Sequence, residues 1–254
     1  MTMPSERRST ALKHIRERGL CGIADLAGLL DVSRVTVHRI LDELEEQGLV
    51  RKERGGVRVV EQTRPEGRFE QRVAANLDLR REIARKAVKF LEEGDAIFID
   101  ASTTAYCFVE AIIQTMPNAR LTIATNSPRV LSLVSDHPDY HVTCTGGELD
   151  HRLNGLVGPI ALDAFSKLQF SKAFISPNSL SLQGIMTPHF TNFEIFTRVL
   201  ERATEVTMLA ESPKFRRLSP LTIAPLSRLK RIITDSKLPK DVRREFAETG
   251  VEVV

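Results

Sequence analysis

Apolar positions at Val37, Ile40, Leu41 and Leu44 fall three, four and seven residues apart, so one stripe of a helix is buried. Arg34, Thr36, His38 and Arg39 are left on its other faces. Ser33 stands where an N-cap is wanted, and Gly48 where a left-handed residue would end the helix. Upstream, residues 23–30 predict a second short helix, joined through Asp31-Val32-Ser33, a turn of the length that links a helix-turn-helix pair. Residues 8–18 predict a helix before that, with Leu12 and Ile15 inward. Downstream, residues 49–52 and 57–60 flank Glu53-Arg54-Gly55-Gly56, and a Gly-Gly pair between two apolar and basic runs predicts a hairpin. Three helices and a basic hairpin make a winged helix.

Beyond it the chain turns polar over residues 61–69, with Pro65 and Gly67, and this is the expected linker between a domain at 1–60 and another at 70–254. Residues 70–91 carry an interrupted apolar face (Val73, Leu77, Ile83, Ala84, Ala87, Val88, Leu91) and predict one long helix ended by Gly94. Short β-type runs then alternate with helices. The runs are 96–100, 121–125, 140–144, 172–176, 205–210 and 231–235, with 251–254 closing the chain; the helices start near Ser102, Ser127-Pro128, Asn192 and Pro239. Such alternation predicts an α/β domain with a mostly parallel sheet covered on both faces.

The exposed polar residues of the winged helix imply a chemistry. Side chains in the first turns of the second helix of such a pair reach base edges in a DNA major groove, where Arg suits guanine and Thr a thymine methyl. Arg34, Thr36, His38 and Arg39 are the expected groove contacts, Ser33 is counted with them as DNA-binding, and Arg51, Lys52, Arg54 and Arg58 of the wing suit phosphates. Singly, each is an ordinary solvated charge. Their grouping carries the reading.

Charge is less emphatic. The chain holds 36 Lys and Arg against 33 Asp and Glu, a formal net charge of +3, and residues 1–60 hold eleven basic and nine acidic side chains. The acids are segregated, however: Asp42, Glu43, Glu45 and Glu46 occupy the C-terminal half of the helix, so the field at its start can be positive. One module of this kind binds weakly. A homo-oligomer, dimer or tetramer, spanning repeated half-sites on double-stranded DNA is expected.

Several classes are disfavoured. No apolar run approaches about eighteen residues and the N-terminus is charged, so the sequence predicts no membrane span, no signal peptide and a cytoplasmic location. Cys21, Cys107 and Cys144 are odd in number and lack Cys-x-x-Cys pairing, which predicts buried thiols rather than disulfides or zinc. The six histidines show no metal-ligand spacing. Phosphate-loop, dinucleotide and Gly-x-Ser-x-Gly motifs are missing, so no metal, no cofactor and no catalytic residue is expected.

In a parallel sheet ligands bind beyond the carboxyl ends of the strands, and the polar punctuation collects there. Asp100-Ala101-Ser102-Thr103-Thr104, Thr125-Asn126-Ser127, Thr145-Gly146-Gly147-Glu148 and Glu211-Ser212-Pro213-Lys214 each follow a strand. Hydroxyls and unpaired N–H groups at helix starts attract an oxyanion, phosphate above all, and Lys214 adds a point charge. Alone, each loop reads equally well as a plain cap or turn. Four on one rim point to a binding site.

Together these motifs resemble the DeoR family of bacterial transcriptional regulators over nearly the whole chain. Val32-Ser33, Thr36-Val37-His38-Arg39 and residues 44–51, ending in Gly55-Gly56, resemble its winged helix. Residues 98–104, Thr125-Asn126-Ser127, Gly146-Gly147-Glu148 with Asn154 and Gly158, residues 172–175, Glu194 and Ser212-Pro213-Lys214-Phe215 resemble its sensor domain, which is related to sugar-phosphate isomerases. The resemblance implies an oligomeric repressor released from its operator by a phosphorylated sugar or related metabolite. Asp100, Ser102, Thr103 and Thr104 would form the first loop of the pocket, with Asn126, Gly146, Gly147, Glu211 and Lys214 around it. Departures from the family pattern are His38 and Ile40 where Arg and Asp are common, Ser102 for Gly, Glu211 for Asp, and Ser176-Pro177-Asn178-Ser179 for a small Gly-containing loop.

Two other readings compete. Asp100 and Glu211 near Lys214 could shuttle a proton beside a carbonyl, giving a sugar-phosphate isomerase-like enzyme that carries a DNA-binding domain. A winged helix used only for protein contacts is the third, and it predicts no effect of salt on DNA association.

Overall fold

The computed structural model of the chain describes residues 7, 8, 10, 11, 14, 15, 18–46, 50–53, 55–59 and 69–254, which divide into two units, Met1–Gly67 and Arg68–Val254. Leu12, Gly48 and Arg54, and the expected linker apart from Phe69, lie outside the described residues.

In the N-terminal unit a helical stretch containing His14 and Ile15 precedes β1 (Leu20–Cys21), α1 (Ile23–Leu30), α2 (Arg34–Glu46), β2 (Val50–Glu53) and β3 (Gly56–Val59). The stripe read from the sequence is the core: Val37, Ile40, Leu41 and Leu44 of α2 are buried with Ile15, Leu26, Leu30, Val50 and Val57. Each such side chain contributes about 1.5–3 kcal/mol by leaving water. Asp31, with φ of 50°, ends α1 in the left-handed conformation that glycine usually takes. At the hairpin, Gly55 has φ of +103°, and a Cβ on Gly56 would lie 2.4 Å from the Cys21 carbonyl oxygen. That close approach belongs to β1, which pairs with β3 through Leu20 and Cys21. Two residues are too few to show a period, so the sequence hid this strand.

The C-terminal unit opens with α3 (Phe69–Ala74) and α4 (Leu77–Val88), correcting the single helix expected over 70–91. Asn76, at φ of 58°, breaks the helix, and α4 ends at Val88 rather than at Gly94, which lies in the turn before the first strand. There follow β4 (Ala96–Ile99), α5 (Thr103–Thr115), β5 (Leu121–Thr125), α6 (Pro128–Val134), β6 (Tyr140–Cys144), the hairpin β7 (Glu148–Asp150) and β8 (Gly155–Val157), and α7 (Pro159–Lys167). The second half runs β9 (Phe170–Ile175), β10 (Ser179–Ser181), β11 (Gly184–Thr187), α8 (Phe190–Arg202), β12 (Ala203–Ala210), β13 (Leu221–Ala224), β14 (Arg231–Thr234), α9 (Lys240–Ala247) and β15 (Glu252–Val253).

Seven strands form one parallel sheet in the order β15-β14-β12-β9-β4-β5-β6. Alternate residues serve opposite cores: Ile97 and Ile99 pack with α4 and α5, whereas Phe98 packs with Phe165, Phe170 and Ile195. The sequence did not show α7, the β7–β8 hairpin or the small antiparallel sheet β10-β11-β13. Cys21 and Cys107 are buried as expected, whereas Cys144, at the edge of the sheet, is only half-buried.

The topology fixes where a site can form. From β4 the chain moves outward to β5 and β6, then returns to β9 on the other side of β4 and moves outward again. The carboxyl ends of β4 and β9 therefore flank the point where strand order reverses, the crevice at which such sheets bind ligands.

Candidate functional site

On the N-terminal unit, burying the apolar stripe of α2 forces Arg34, His38 and Arg39 outward. Ser33 caps the helix: its Oγ accepts from the Thr36 N–H at 3.2 Å and lies 3.0 Å from the Thr36 hydroxyl. Thr36 is half-buried and its hydroxyl is engaged with the cap. Val35, which sequence reasoning passed over, is 79% exposed beside Arg34 and Arg39. An unpartnered apolar side chain on a polar helix face was the available signal.

The wing separates two residues that sequence reasoning grouped. Neighbours on a strand face opposite ways, and the register pairs Arg51 with Arg58 on one face and Lys52 with Val57 on the other. Arg51 and Arg58 are exposed. Lys52 instead turns toward α2, where its Nζ donates to Asp42 and lies 3.5 Å from Glu45, whose other oxygen accepts from the Lys52 N–H at 3.0 Å. The hydrogen bond to Asp42 is the main cause of its raised pKa. Lys52 is a strut between wing and helix. Two arginines opposed across a hairpin repel; Glu53, 3.6 Å from Arg58, answers one of them.

On the C-terminal unit, β4, β5, β6 and β12 lie in one parallel sheet, so the four polar loops share its carboxyl rim. Ser102 caps α5 by accepting from the Ala105 N–H at 3.1 Å, and Ser127 caps α6 by accepting from Val130 at 3.2 Å. Thr103 and Thr104 are buried in the first turn of α5, where backbone N–H groups have no acceptor within their own helix.

Asp100 spans the switch point. One oxygen accepts from the Ser102 N–H at 3.2 Å and hydroxyl at 2.6 Å, the other from the Ser176 N–H at 2.9 Å. Burial raises its pKa, and the hydrogen bonds and the charge of Lys214 offset this only in part. Lys214 Nζ donates to the Ser176 hydroxyl at 2.7 Å, and that hydroxyl donates to the Leu209 carbonyl at 2.5 Å. Ser176, which the sequence marked only as part of a loop departing from the family pattern, is thus the hub between β4, β9 and β12. Only the sheet order reveals it.

Glu211 is buried, and its Oε1 accepts from both the Thr104 hydroxyl and Arg80 Nε, the latter at 3.1 Å. Burial alone would raise its pKa, but the charges of Lys214 and Arg80 and these hydrogen bonds outweigh it and hold the carboxyl below its ordinary value. Arg80, itself buried, has no motif to betray it.

Asn126 is 4% exposed; its Nδ2 donates to the Leu156 carbonyl at 3.2 Å, and its Oδ1 is buried with no hydrogen-bond partner. Gly155 of β8 presses on this corner, where a Cβ would lie 2.8 Å from the Ala101 Cβ. Gly146 and Gly147 sit after β6, two strands and so about 10 Å from the end of β4. With φ of +111°, and the Val157 carbonyl 2.4 Å from where its Cβ would be, Gly147 shapes the β7–β8 hairpin. Among the described residues no group of three His, Cys, Asp or Glu side chains is placed to hold a metal ion.

Residues 75–236 match the family described as DeoR C terminal sensor domain, and residues 1–69 match the HVO_A0261 N-terminal domain. The chain is 32% identical over 253 residues, covering 99% of it and 98% of the relative, to the HTH-type transcriptional regulator GlpR of Haloferax volcanii. It is also 32% identical over 231 residues, 89% of each chain, to the HTH-type transcriptional regulator IolR of Bacillus subtilis. A ribose 5-phosphate isomerase A from Methanocaldococcus jannaschii aligns over 55% of each chain with a TM-score of 0.40 and 16% identity. A helix-turn-helix module in front, a sensor sheet behind and end-to-end agreement with named regulators lead to one assignment: the chain is a DNA-binding transcriptional regulator and belongs to the DeoR family.

Proposed function

We propose that this regulator represses a carbohydrate-metabolism operon and leaves its operator when a phosphorylated sugar or related metabolite fills the rim of the C-terminal sheet. Among the relatives, one 28% identical is named putative aga operon transcriptional repressor, from Escherichia coli O157:H7, and one 27% identical is named L-fucose operon activator, from Haemophilus influenzae. Arg34, Val35, His38 and Arg39 read the major groove, with Val35 meeting a thymine methyl; Arg51 and Arg58 hold phosphates, the role also expected of Arg54. The protein works as a homo-oligomer, dimer or tetramer, in the cytoplasm where its DNA is. No helix among the described residues is long and apolar enough to cross a membrane.

The observation that carries the sensing role is the unpartnered Asn126 Oδ1 at the carboxyl end of β5, the strand beside β4, from which the chain enters α5. A buried acceptor without a donor costs about 1–3 kcal/mol, and a ligand hydroxyl answers it while the α5 N–H groups and Lys214 take the phosphate. Thr103, Thr104, Ser102, Asp100 and Glu211 complete the loop walls, and Gly146 and Gly147 its outer edge. The rim suits binding better than catalysis. Glu211 is engaged by Arg80 and Thr104, Asp100 accepts three hydrogen bonds, and Lys214 donates to Ser176, so the proton shuttle of an isomerase lacks a free base.

The test is a thermal-shift screen of phosphorylated sugars followed by operator titration. Selective stabilisation and a 5- to 150-fold loss of operator affinity, about 1–3 kcal/mol of coupling, are expected. Turnover of a sugar phosphate above background, or operator affinity indifferent to every compound that binds, overturns the proposal.

A further inference from the structure

Three residues, Tyr106, Arg129 and Arg80, tie α3 to α5, α6 and α4. At its start, Phe69 meets Tyr106 of α5 edge-on at 5.3 Å, and Arg129 of α6 lies over the same ring at 5.4 Å while pairing with Glu70 at 2.6 Å. At its end, Arg80 of α4 donates through one terminal nitrogen to the carbonyls of Arg72, Val73 and Ala75. Arg72 and Val73 belong to the C-terminal turn of a short helix and Ala75 follows it, an end that favours a cation. The other side of the same guanidinium reaches Glu211, which Thr104 shares.

We infer that Arg80 is the positioning residue through which rim occupancy reaches α3, the first element after the boundary between the two units. The inference rests on the sensing role proposed above and assigns its transmission. An anion at the first turn of α5 draws the Thr104 hydroxyl away from Glu211; the carboxylate is then left to Arg80, and the guanidinium moves off the α3 carbonyls. A ligand shifts an equilibrium only by contacts that differ between its states, and the shared Glu211 oxygen supplies such a difference. Arginine suits the task because its planar fork addresses a carboxylate and several carbonyls at once, which a lysine ammonium cannot.

Arg80→Lys separates transmission from binding, since it keeps a positive charge beside Glu211 and loses the fork. The probe is whichever of ribose 5-phosphate, glucose 6-phosphate, fructose 1-phosphate and glycerol 3-phosphate most raises the Tm of the full-length protein. Operator binding is read by fluorescence anisotropy on the DNA upstream of the gene, with and without probe. The native protein is expected to weaken at least about fivefold with probe, the variant less than about twofold, and the variant is expected to bind the probe itself within about threefold of native. Should native protein respond to no probe, the sensing role fails and the inference with it. Should native and Arg80→Lys respond alike, or the variant lose probe binding, only the transmission fails. Hydrogen exchange on the native protein is an independent check: amides of residues 70–76 are expected to exchange faster with probe bound, and unchanged protection there also overturns the assignment.

Discussion

The two polar surfaces of this protein treat charge in opposite ways. On α2 and the wing, Arg34, Arg39, Arg51 and Arg58 stand in solvent, and only Arg58 has a carboxylate within 4 Å among the described residues. On the rim, Asp100, Glu211 and Arg80 are buried and each is held by several hydrogen bonds. An exposed cationic face interacts through water and condensed counterions, so it binds a polyanion weakly per charge and yields to salt. A buried network works in a medium where each unpaired group is costly, so it stays in one arrangement until a ligand offers an equivalent one. On the proposed function, the DNA face is a surface of independent contacts and the effector rim a coupled set.

That contrast can be broken most forcefully at Arg80. Arg80→Met leaves Glu211 buried without its partner, and the C-terminal unit is expected to lose about 3–5 kcal/mol in denaturant unfolding; a loss below about 1 kcal/mol would place the pair with ordinary surface bridges. Removing a proposed groove contact from the N-terminal unit is expected to cost less. Arg39→Ala is expected to weaken operator binding by about 1–3 kcal/mol and to relax sequence preference at one position, read by competition with base-substituted operators. Arg51→Ala is expected to weaken specific and non-specific DNA alike and to lower the salt slope by about one, whereas Lys52→Ala leaves the slope unchanged. Equal slopes for the two would erase the distinction between neighbouring wing residues. For Lys52→Ala the expected change in unfolding free energy is below about 1 kcal/mol, as for exposed pairs.

Acid sharpens the same comparison. Glu211 is held below its ordinary value, so its contribution to stability is present above the unfolded carboxyl range and lost as pH falls through the folded value. Asp95, which Lys172 reaches at 2.7 Å, behaves alike: burial raises it, but the hydrogen bonds from Lys172, the Glu92 N–H and Ser171 and the Lys172 charge bring it down. Asp100 runs the other way, its raised value making its contribution fade as pH rises. Net destabilisation of the C-terminal unit is expected on acidification, followed by urea unfolding from about pH 6 to about pH 3. Glu211→Gln should flatten this acid limb. An unchanged limb would mean that Glu211 is not held by its neighbours.

What the sequence by itself determined is most of what a local period or a local cap carries, though not the break at Asn76 or helix α7. The stripe of α2, the Ser33, Ser102 and Ser127 caps, the Gly55-Gly56 turn and the seven parallel strands were all legible, because each depends on residues a few positions apart. Tertiary structure decided what depends on strand order and facing. Whether Lys52 points to solvent or to Asp42 follows from register; that Ser176 joins Asp100 to Lys214 follows from β9 lying between β4 and β12; that Arg80 meets Glu211, 131 positions away, follows from α4 packing on the sheet. No propensity records such meetings, since buried charges are placed by distant partners that can satisfy them and not by their neighbours in the chain.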